Sequence, residues 1–106
     1  MATSKEFYGY IMEQLAGLEE ISGRAMMGEY ILYYRGRIFG GIYDDQLMLK
    51  ITPASKLYLS EAAETTPYPG AKPMLVVENP ENRPLLHALI KAMYPELPER
   101  KARKDE

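Results

Sequence analysis

The stretch RAMMGEYILYYRGRIFGGIYDDQLMLK, from Arg24 to Lys50, decides the fold. Apolar and aromatic residues dominate it in short runs, which are broken at Met27-Gly28-Glu29, Arg35-Gly36 and Asp44-Asp45. Short runs rich in Tyr, Ile and Leu and bounded by turn residues are typical of β-strands. The stretch therefore predicts an antiparallel β-meander.

Antiparallel pairing also predicts which side chains share a face of the meander. With Asp44-Asp45 and Arg35-Gly36 as two-residue turns, one predicted face carries Ile31, Tyr33, Ile38, Gly40, Ile42, Leu47, Leu49 and Ile51. The other predicted face carries Tyr30, Leu32, Tyr34, Phe39, Tyr43, Met48 and Lys50. A bulge at Gly36 would exchange the two faces of the first strand. Both faces are apolar, so the face that helices leave open should meet another helix, a second subunit or a partner.

A helix is predicted before the meander. Thr3 and Glu6 have the spacing of a capping box, and apolar residues then recur at helical spacing from Phe7 to Leu18. Gly17 lies where the helix can stop. This amphipathic helix should pack on one face of the sheet.

Two further helices and a strand are predicted after the meander. Thr52-Pro53 has the residues of a helix start, and that helix should run to about Glu61. The segment 72–77 predicts a strand with Pro73 near its start or on a sheet edge, and a third helix should follow Asn79-Pro80 as far as Tyr94. The order predicts an α+β domain, in which a mainly antiparallel β-meander sheet packs with an N-terminal helix and two later helices.

Length and composition predict one domain. A chain of 106 residues can form a single core, and we place the domain at residues 1–94, with 95–106 as a charged, flexible tail. The net charge of -2 gives no overall field for holding a polyanion, and the absence of Cys excludes disulfides, Cys-based zinc sites and thiol catalysis. No apolar run is long enough to span a membrane, and the polar N-terminus is unlike a signal peptide, so we expect a cytoplasmic protein.

The residue types that carry chemistry are sparse. His87 is the single histidine and is predicted at the flank of an apolar helix face, where a structural role is expected. Asp44-Asp45 has turn chemistry, and close packing or a bulge explains Gly40-Gly41 better than a nucleotide site does. No catalytic residue, cofactor site or metal site is predicted.

The alternation of basic and aromatic residues from Tyr33 to Phe39 is compatible with bases stacking on a sheet. The acidic balance of the chain argues against this interpretation. Aromatic rings of this kind also build cores and interfaces. No predicted helix carries the polar array that reads the major groove, so we expect no direct sequence-specific DNA binding.

The central block resembles a known family. Arg24, Met26 and Gly28, followed by two hairpins and Leu49-Lys50, are similar to the N-terminal domain of the TfoX/Sxy family of bacterial competence regulators. The preceding amphipathic helix and the later AKPMLVV segment extend the resemblance from about Thr3 to Tyr94. In its departures from the family pattern, the chain resembles the stand-alone form of this domain.

The resemblance implies a cytoplasmic transcriptional co-regulator that acts through protein contacts, with a partner in the transcription machinery. The family has no established active site, so the chain is not expected to be an enzyme. We also expect a homodimer, because the second sheet face has surplus aromatic residues and the strand edge at Lys72-Pro73 is only partly protected.

The candidate partner or ligand face consists of Arg24, Glu29, Tyr30, Tyr34, Phe39, Tyr43 and Lys50. The alternative is a small-molecule-binding domain or an unrecognised enzyme that uses this aromatic face. A flat patch would favour a partner, whereas a closed pocket with converging charges would favour a ligand.

Overall fold

The computed structural model describes residues 3–98. Its helices and strands follow one another in the order α1 (Lys5–Gln14), β1 (Ile21–Met26), β2 (Glu29–Tyr34), β3 (Arg37–Tyr43), β4 (Gln46–Lys50), α2 (Pro53–Tyr58), β5 (Glu64–Thr65), β6 (Met74–Val77) and α3 (Arg83–Met93), with a short 3-10 turn at Tyr94–Glu96. The predicted α+β arrangement is confirmed.

The sheet has six strands in the order β1-β2-β3-β4-β6-β5, and every neighbouring pair is antiparallel. The two-residue strand β5 was not predicted, and it pairs with β6. Pro73 directly precedes β6, which agrees with the predicted position near the start of the strand. The strand that begins after Lys72-Pro73 is not the edge of the sheet, because β5 pairs with it at Met74 and Leu75. Within residues 3–98 the long unpaired edge is that of β1.

Two-residue turns join the first four strands. Both central residues have positive φ at Met27-Gly28, at Arg35-Gly36 and at Asp44-Asp45. Positive φ at both positions defines the type I′ turn, whose twist matches that of a hairpin. The three predicted breaks in the sequence are therefore the three hairpin turns.

A β-bulge in β3 sets which side chains share a face. Tyr33 pairs with Ile38, whereas Leu32 pairs with Gly40, so Phe39 is the extra residue. The faces of β2 are therefore exchanged, as in the alternative with a bulge, but the bulge is at Phe39 and not at Gly36, where the turn has two residues. Our placement of Ile31 and Tyr33 on one face with Leu47 is accordingly wrong.

The helices cover one face of the sheet, which we call the helix face. Its core combines residues of the three helices with residues of the sheet, namely Ile11, Leu15, Leu18, Leu32, Tyr34, Phe39, Ile42, Leu47, Leu49, Ala54, Val77, Leu86, Leu89, Ile90, Met93 and Leu97. The opposite face, which we call the open face, carries the side chains that alternate with these: Ser22, Arg24, Ile31, Tyr33, Ile38, Gly41, Tyr43, Met48, Lys50, Met74 and Val76.

The start of α1 differs from the predicted capping box. Ser4 is the N-cap and accepts a hydrogen bond from the backbone N–H of Phe7. Thr3 instead reaches the sheet, because its hydroxyl donates to Glu29 Oε1 at 2.7 Å and its N–H donates to the backbone oxygen of Gly28 at 2.9 Å. Asp45 completes the link by accepting from the N–H of Ser4 at 2.9 Å. Thr3 and Ser4 thus tie α1 to the ends of two hairpins.

The later helices begin as their caps dictate. Thr52 and Ser55 form a capping box with Pro53 as the first helical residue, and α2 ends at Tyr58, before the predicted Glu61. Asn82 caps α3, with Pro84 in the first turn where its missing N–H costs nothing. The core continues past the boundary predicted at residue 94, since Leu97 is only 4% exposed. The rest of the predicted tail, 99–106, lies outside the described residues.

Candidate functional site

Three of the seven candidate face residues lie on the helix face. Phe39 is fully buried in the core, and Tyr34 is buried with its ring edge-to-face against Tyr94. Tyr30 is half-buried and stacks on Tyr8 of α1 with ring centroids 4.0 Å apart. Their predicted position on an exposed aromatic face is therefore wrong, because the bulge at Phe39 turns these strand segments toward the helices.

Neither Glu29 nor Arg24 lines the concave site on the open face. Glu29 Oε1 accepts hydrogen bonds from the hydroxyl of Thr3 and from the backbone N–H of Asp44, so its carboxylate joins two hairpin ends. Arg24 is exposed on β1. Three inter-strand spacings separate β1 from β4, which places Arg24 on the order of 14 Å from the strand of Lys50.

The remaining two candidates, Tyr43 and Lys50, line one concave site on the open face. This site, the open-face groove, has a volume of about 670 Å³ and lies between the strands and the segment 67–73. Its apolar floor includes Ile31, Ile38 and Met74. Its size falls within the range of small-molecule sites, which is roughly 300–1,000 Å³.

An aromatic wall bounds the open-face groove. The ring of Tyr43 lies over Gly41, where a Cβ atom would come within 2.7 Å of Tyr43 Cε2 and 2.6 Å of the Tyr30 backbone oxygen. The ring of Tyr68, which is 56% exposed, contacts Tyr43 with centroids 6.1 Å apart. Burial, followed by the neighbouring Tyr68 and Glu29, raises the pKa of Tyr43, so its hydroxyl is neutral and available as a donor.

Two lysines supply the positive charge of the groove. Lys50 pairs with Met74 in the sheet, and Lys72 lies two residues before Met74. Burial, and then repulsion from Lys72, lowers the pKa of Lys50. Glu96 also lines the groove, but its Oε1 accepts a hydrogen bond from the backbone N–H of Ala54 at 2.9 Å.

Sequence reasoning missed Lys72 and Tyr68 as members of the site. The Tyr68-Pro69-Gly70 segment was predicted only as a turn, and Lys72 only as the beginning of a strand. No local pattern indicates that this segment folds beside the open face. Knowledge that β4 pairs with the strand after Lys72 would have placed Lys72 near Lys50.

The basic and aromatic residues of the β2–β3 turn serve an internal contact. The guanidinium groups of Arg35 and Arg37 lie 5.3 Å and 4.3 Å from the ring centroid of Tyr94. Arg37 also donates to the backbone oxygen of Tyr94 at 2.9 Å. This use of the arginines favours a packing role over base stacking.

The other polar candidates also have structural contacts. His87 Nε2 donates to the backbone oxygen of Gln14 at 2.8 Å, next to the end of α1. Within residues 3–98, no group of three or more acidic or histidine side chains is placed to hold a metal ion. No helix in the same range is long and apolar enough to cross a membrane.

The edge strand β1 is the second surface feature. The backbone oxygen of Glu20 accepts from the N–H of Arg35, so alternate residues from Glu20 onward bond to β2. The backbone groups of Ile21, Gly23 and Ala25 therefore point away from the sheet. At the end of this edge, Met26 is 46% exposed and Met27 is 96% exposed.

Comparison with known proteins gives two matches. The family model described as the TfoX N-terminal domain matches residues 13–95. The chain is also similar to the "Uncharacterized 12.7 kDa protein in trpE 5'region" of Spirochaeta aurantia, with 30% identity over 105 residues, covering 98% of this chain and 91% of the relative. No solved structure matches the chain significantly.

Proposed function

Because the chain belongs to the TfoX N-terminal domain family, we propose that it is a cytoplasmic regulatory module that works through protein contacts. In this proposal it is not an enzyme, and it influences transcription by binding a protein of the transcription machinery. It does not bind a specific DNA sequence directly. The observation that carries the proposal is the free edge of β1.

The β1 edge has the properties of a pairing surface. A strand of six residues with no proline presents three sets of outward backbone groups, while the opposite edge has only the two residues of β5. Unprotected edges of this length pair readily with another extended segment. The adjacent Met26 and Met27 add flexible apolar contact area.

We propose that two copies pair through β1 about a two-fold axis. Antiparallel pairing of identical strands is self-complementary, so the two sheets would join into one. In this proposal the edge of β1 takes the place of the edge expected at Lys72-Pro73. The open-face groove stays accessible in both copies, because β4 lies three strands away from β1.

Light scattering after size-exclusion chromatography tests the dimer. We expect the wild-type chain to have a dimer mass at micromolar concentration. Ala25→Pro removes an outward N–H and should give a monomer, whereas the control Ala25→Val keeps that N–H and should stay dimeric. A monomeric wild type would contradict the proposed self-association, and a dimeric Ala25→Pro variant would contradict the β1 interface.

Transcript profiling in the native cell tests the regulatory role. Deletion of the gene that encodes the chain should change the levels of a defined set of transcripts, and re-expression of the wild-type chain should restore those levels. Affinity capture of the chain should retain an RNA polymerase subunit or a transcription regulator. An unchanged transcript profile after removal would contradict the regulatory proposal.

A second candidate function is binding of a small molecule, and the open-face groove favours it. The groove is concave and open, so it lies between the flat patch expected for a partner and the closed pocket expected for a ligand, and the two lysines of its lining favour a ligand. Regulation by a ligand and regulation by contact are compatible, because the groove and the β1 edge are separate.

A further inference from the structure

The open-face groove combines two chemical properties. One is an apolar surface, formed by Ile31, Ile38 and Met74 beside the Tyr43 ring. The other is a pair of ammonium groups, on Lys50 and Lys72, at the same site. A molecule that matches both properties has a ring or chain body and an anionic head group.

The positive charges of the groove lack a counterion within the described part of the chain. Among residues 3–98, no carboxylate forms an ion pair with Lys50 or Lys72. Glu96, an acidic residue of the lining, accepts a hydrogen bond from the backbone N–H of Ala54 and forms no ion pair with either lysine. The two lysines repel each other, and an anion bound between them would turn this repulsion into attraction.

The neutral hydroxyl of Tyr43 adds a hydrogen-bond donor to the lining of the groove. Small-molecule sites typically have this composition, in which a few polar groups orient a ligand on a mostly apolar surface. The volume of about 670 Å³ admits a molecule of one or two rings with its head group.

We infer that the open-face groove binds a small organic anion, with its head group between Lys50 and Lys72 and its apolar body on the floor of the sheet. The head group is a carboxylate or a phosphate, because both accept hydrogen bonds from ammonium groups. The inference rests on the small-molecule candidate above and is independent of pairing through β1.

A pair of fluorescent probes with matched bodies tests this inference on the full chain. 8-Anilinonaphthalene-1-sulfonate has an anionic group, and N-phenyl-1-naphthylamine has the same ring body without it. We expect saturable binding of the sulfonate, weakened about tenfold by Lys50→Met and by Lys72→Met, with binding of the neutral probe changed less than twofold.

Two control variants and a mapping experiment make the result specific. Lys50→Arg keeps the charge and should keep most of the sulfonate affinity, and Lys56→Met removes an exposed charge on α2 outside the groove and should change nothing. Amide chemical-shift changes of the wild-type chain should be confined to the strands and loops that line the groove, namely β2, β3, β4, the start of β6 and the segment 67–73. This mapping keeps the inference testable if a methionine variant fails to fold.

Displacement experiments identify the head group. Benzoate or phenyl phosphate should displace the sulfonate probe, and whichever acts at lower concentration identifies the preferred anion. Neutral phenol should displace it far less. Equal sulfonate affinity in wild type, Lys50→Met and Lys72→Met, shifts centred outside the groove, or displacement by phenol alone would each overturn the inference. None of these outcomes affects the test of Ala25→Pro.

Discussion

At the scale of single residues, Lys50 has a position that opposes folding. Its ammonium is partly removed from water and is repelled by Lys72, and both effects lower its pKa. A methionine would fill the same space without these costs. Groups held in unfavourable ionisation environments are frequent at functional sites, because binding supplies the compensating interaction.

Lys50→Met should therefore make the ligand-free protein more stable at pH 7. Because the folded pKa of Lys50 lies below the ordinary 10.5, the unfolded chain binds more protons between these two values. The full cost of charged Lys50 is present below the folded pKa and disappears as pH rises past 10.5.

Urea unfolding of wild type and Lys50→Met at pH 7, 8.5 and 10 measures this effect. The difference in unfolding free energy should narrow with rising pH, and Tyr43, whose pKa is raised above 10.0, is present in both proteins and cancels. Lys56→Met is the matched control and should show no such trend. A difference that stays constant with pH would show that only apolar packing had changed.

At the scale of elements, the hairpin turns keep non-glycine residues in left-handed backbone. Met27 has φ 52° and Arg35 has φ 51°, each followed by a glycine. Left-handed backbone costs an ordinary residue roughly 1 kcal/mol, and Asn tolerates it. The two turns have the same geometry but different side-chain contacts, because Arg35 lies over the Tyr94 ring and Met27 is exposed.

Met27→Asn should raise the free energy of unfolding by about 0.5–1 kcal/mol, because Asn-Gly is a preferred type I′ turn. Arg35→Asn gains the same turn preference but loses a cation–π contact of about 0.5–1 kcal/mol, so its net change should be near zero. Chemical denaturation at two protein concentrations separates these effects from self-association. Equal gains in both variants would contradict the role of the Arg35 contact.

The sequence predicts the elements well because their signals are local. The turns at Met27-Gly28, Arg35-Gly36 and Asp44-Asp45 and the cap at Thr52 each act within a few residues. The bulge at Phe39 is different, since Gly40-Gly41 is equally compatible with close packing and with a bulge. Because the bulge was not located, the predicted faces of one strand were exchanged. Three rings of the helix face were therefore assigned to the candidate site.

At the scale of the whole molecule, the candidate site depends on contacts distant in sequence. Lys50 and Tyr43 were predicted from the meander, whereas Lys72 and Tyr68 reach the groove only because β6 pairs with β4. Sequence reasoning could therefore find one side of the groove and not the other. The same limit applies to Thr3, whose partner Glu29 is 26 positions away.

The charge of the whole chain and the contacts of its turn arginines predict weak binding to DNA. Arg35 and Arg37 are engaged at Tyr94, and the net charge of the full chain is -2. We expect no sequence-specific duplex binding at about 150 mM salt, where phosphate contacts are already weakened by screening. A titration that gives sub-micromolar affinity for one sequence over scrambled competitor would contradict regulation by protein contact alone.

The Thr3 contacts have a consequence for synthesis on the ribosome. α1 leaves the ribosome first, but its anchors at Glu29 and Asp45 and its core partners in α3 are made later. At roughly 5–20 residues per second, several seconds pass before Met93 can cover the sheet. During that interval α3 does not yet cover the apolar helix face of the nascent meander, so we expect the growing chain to bind ribosome-associated chaperones.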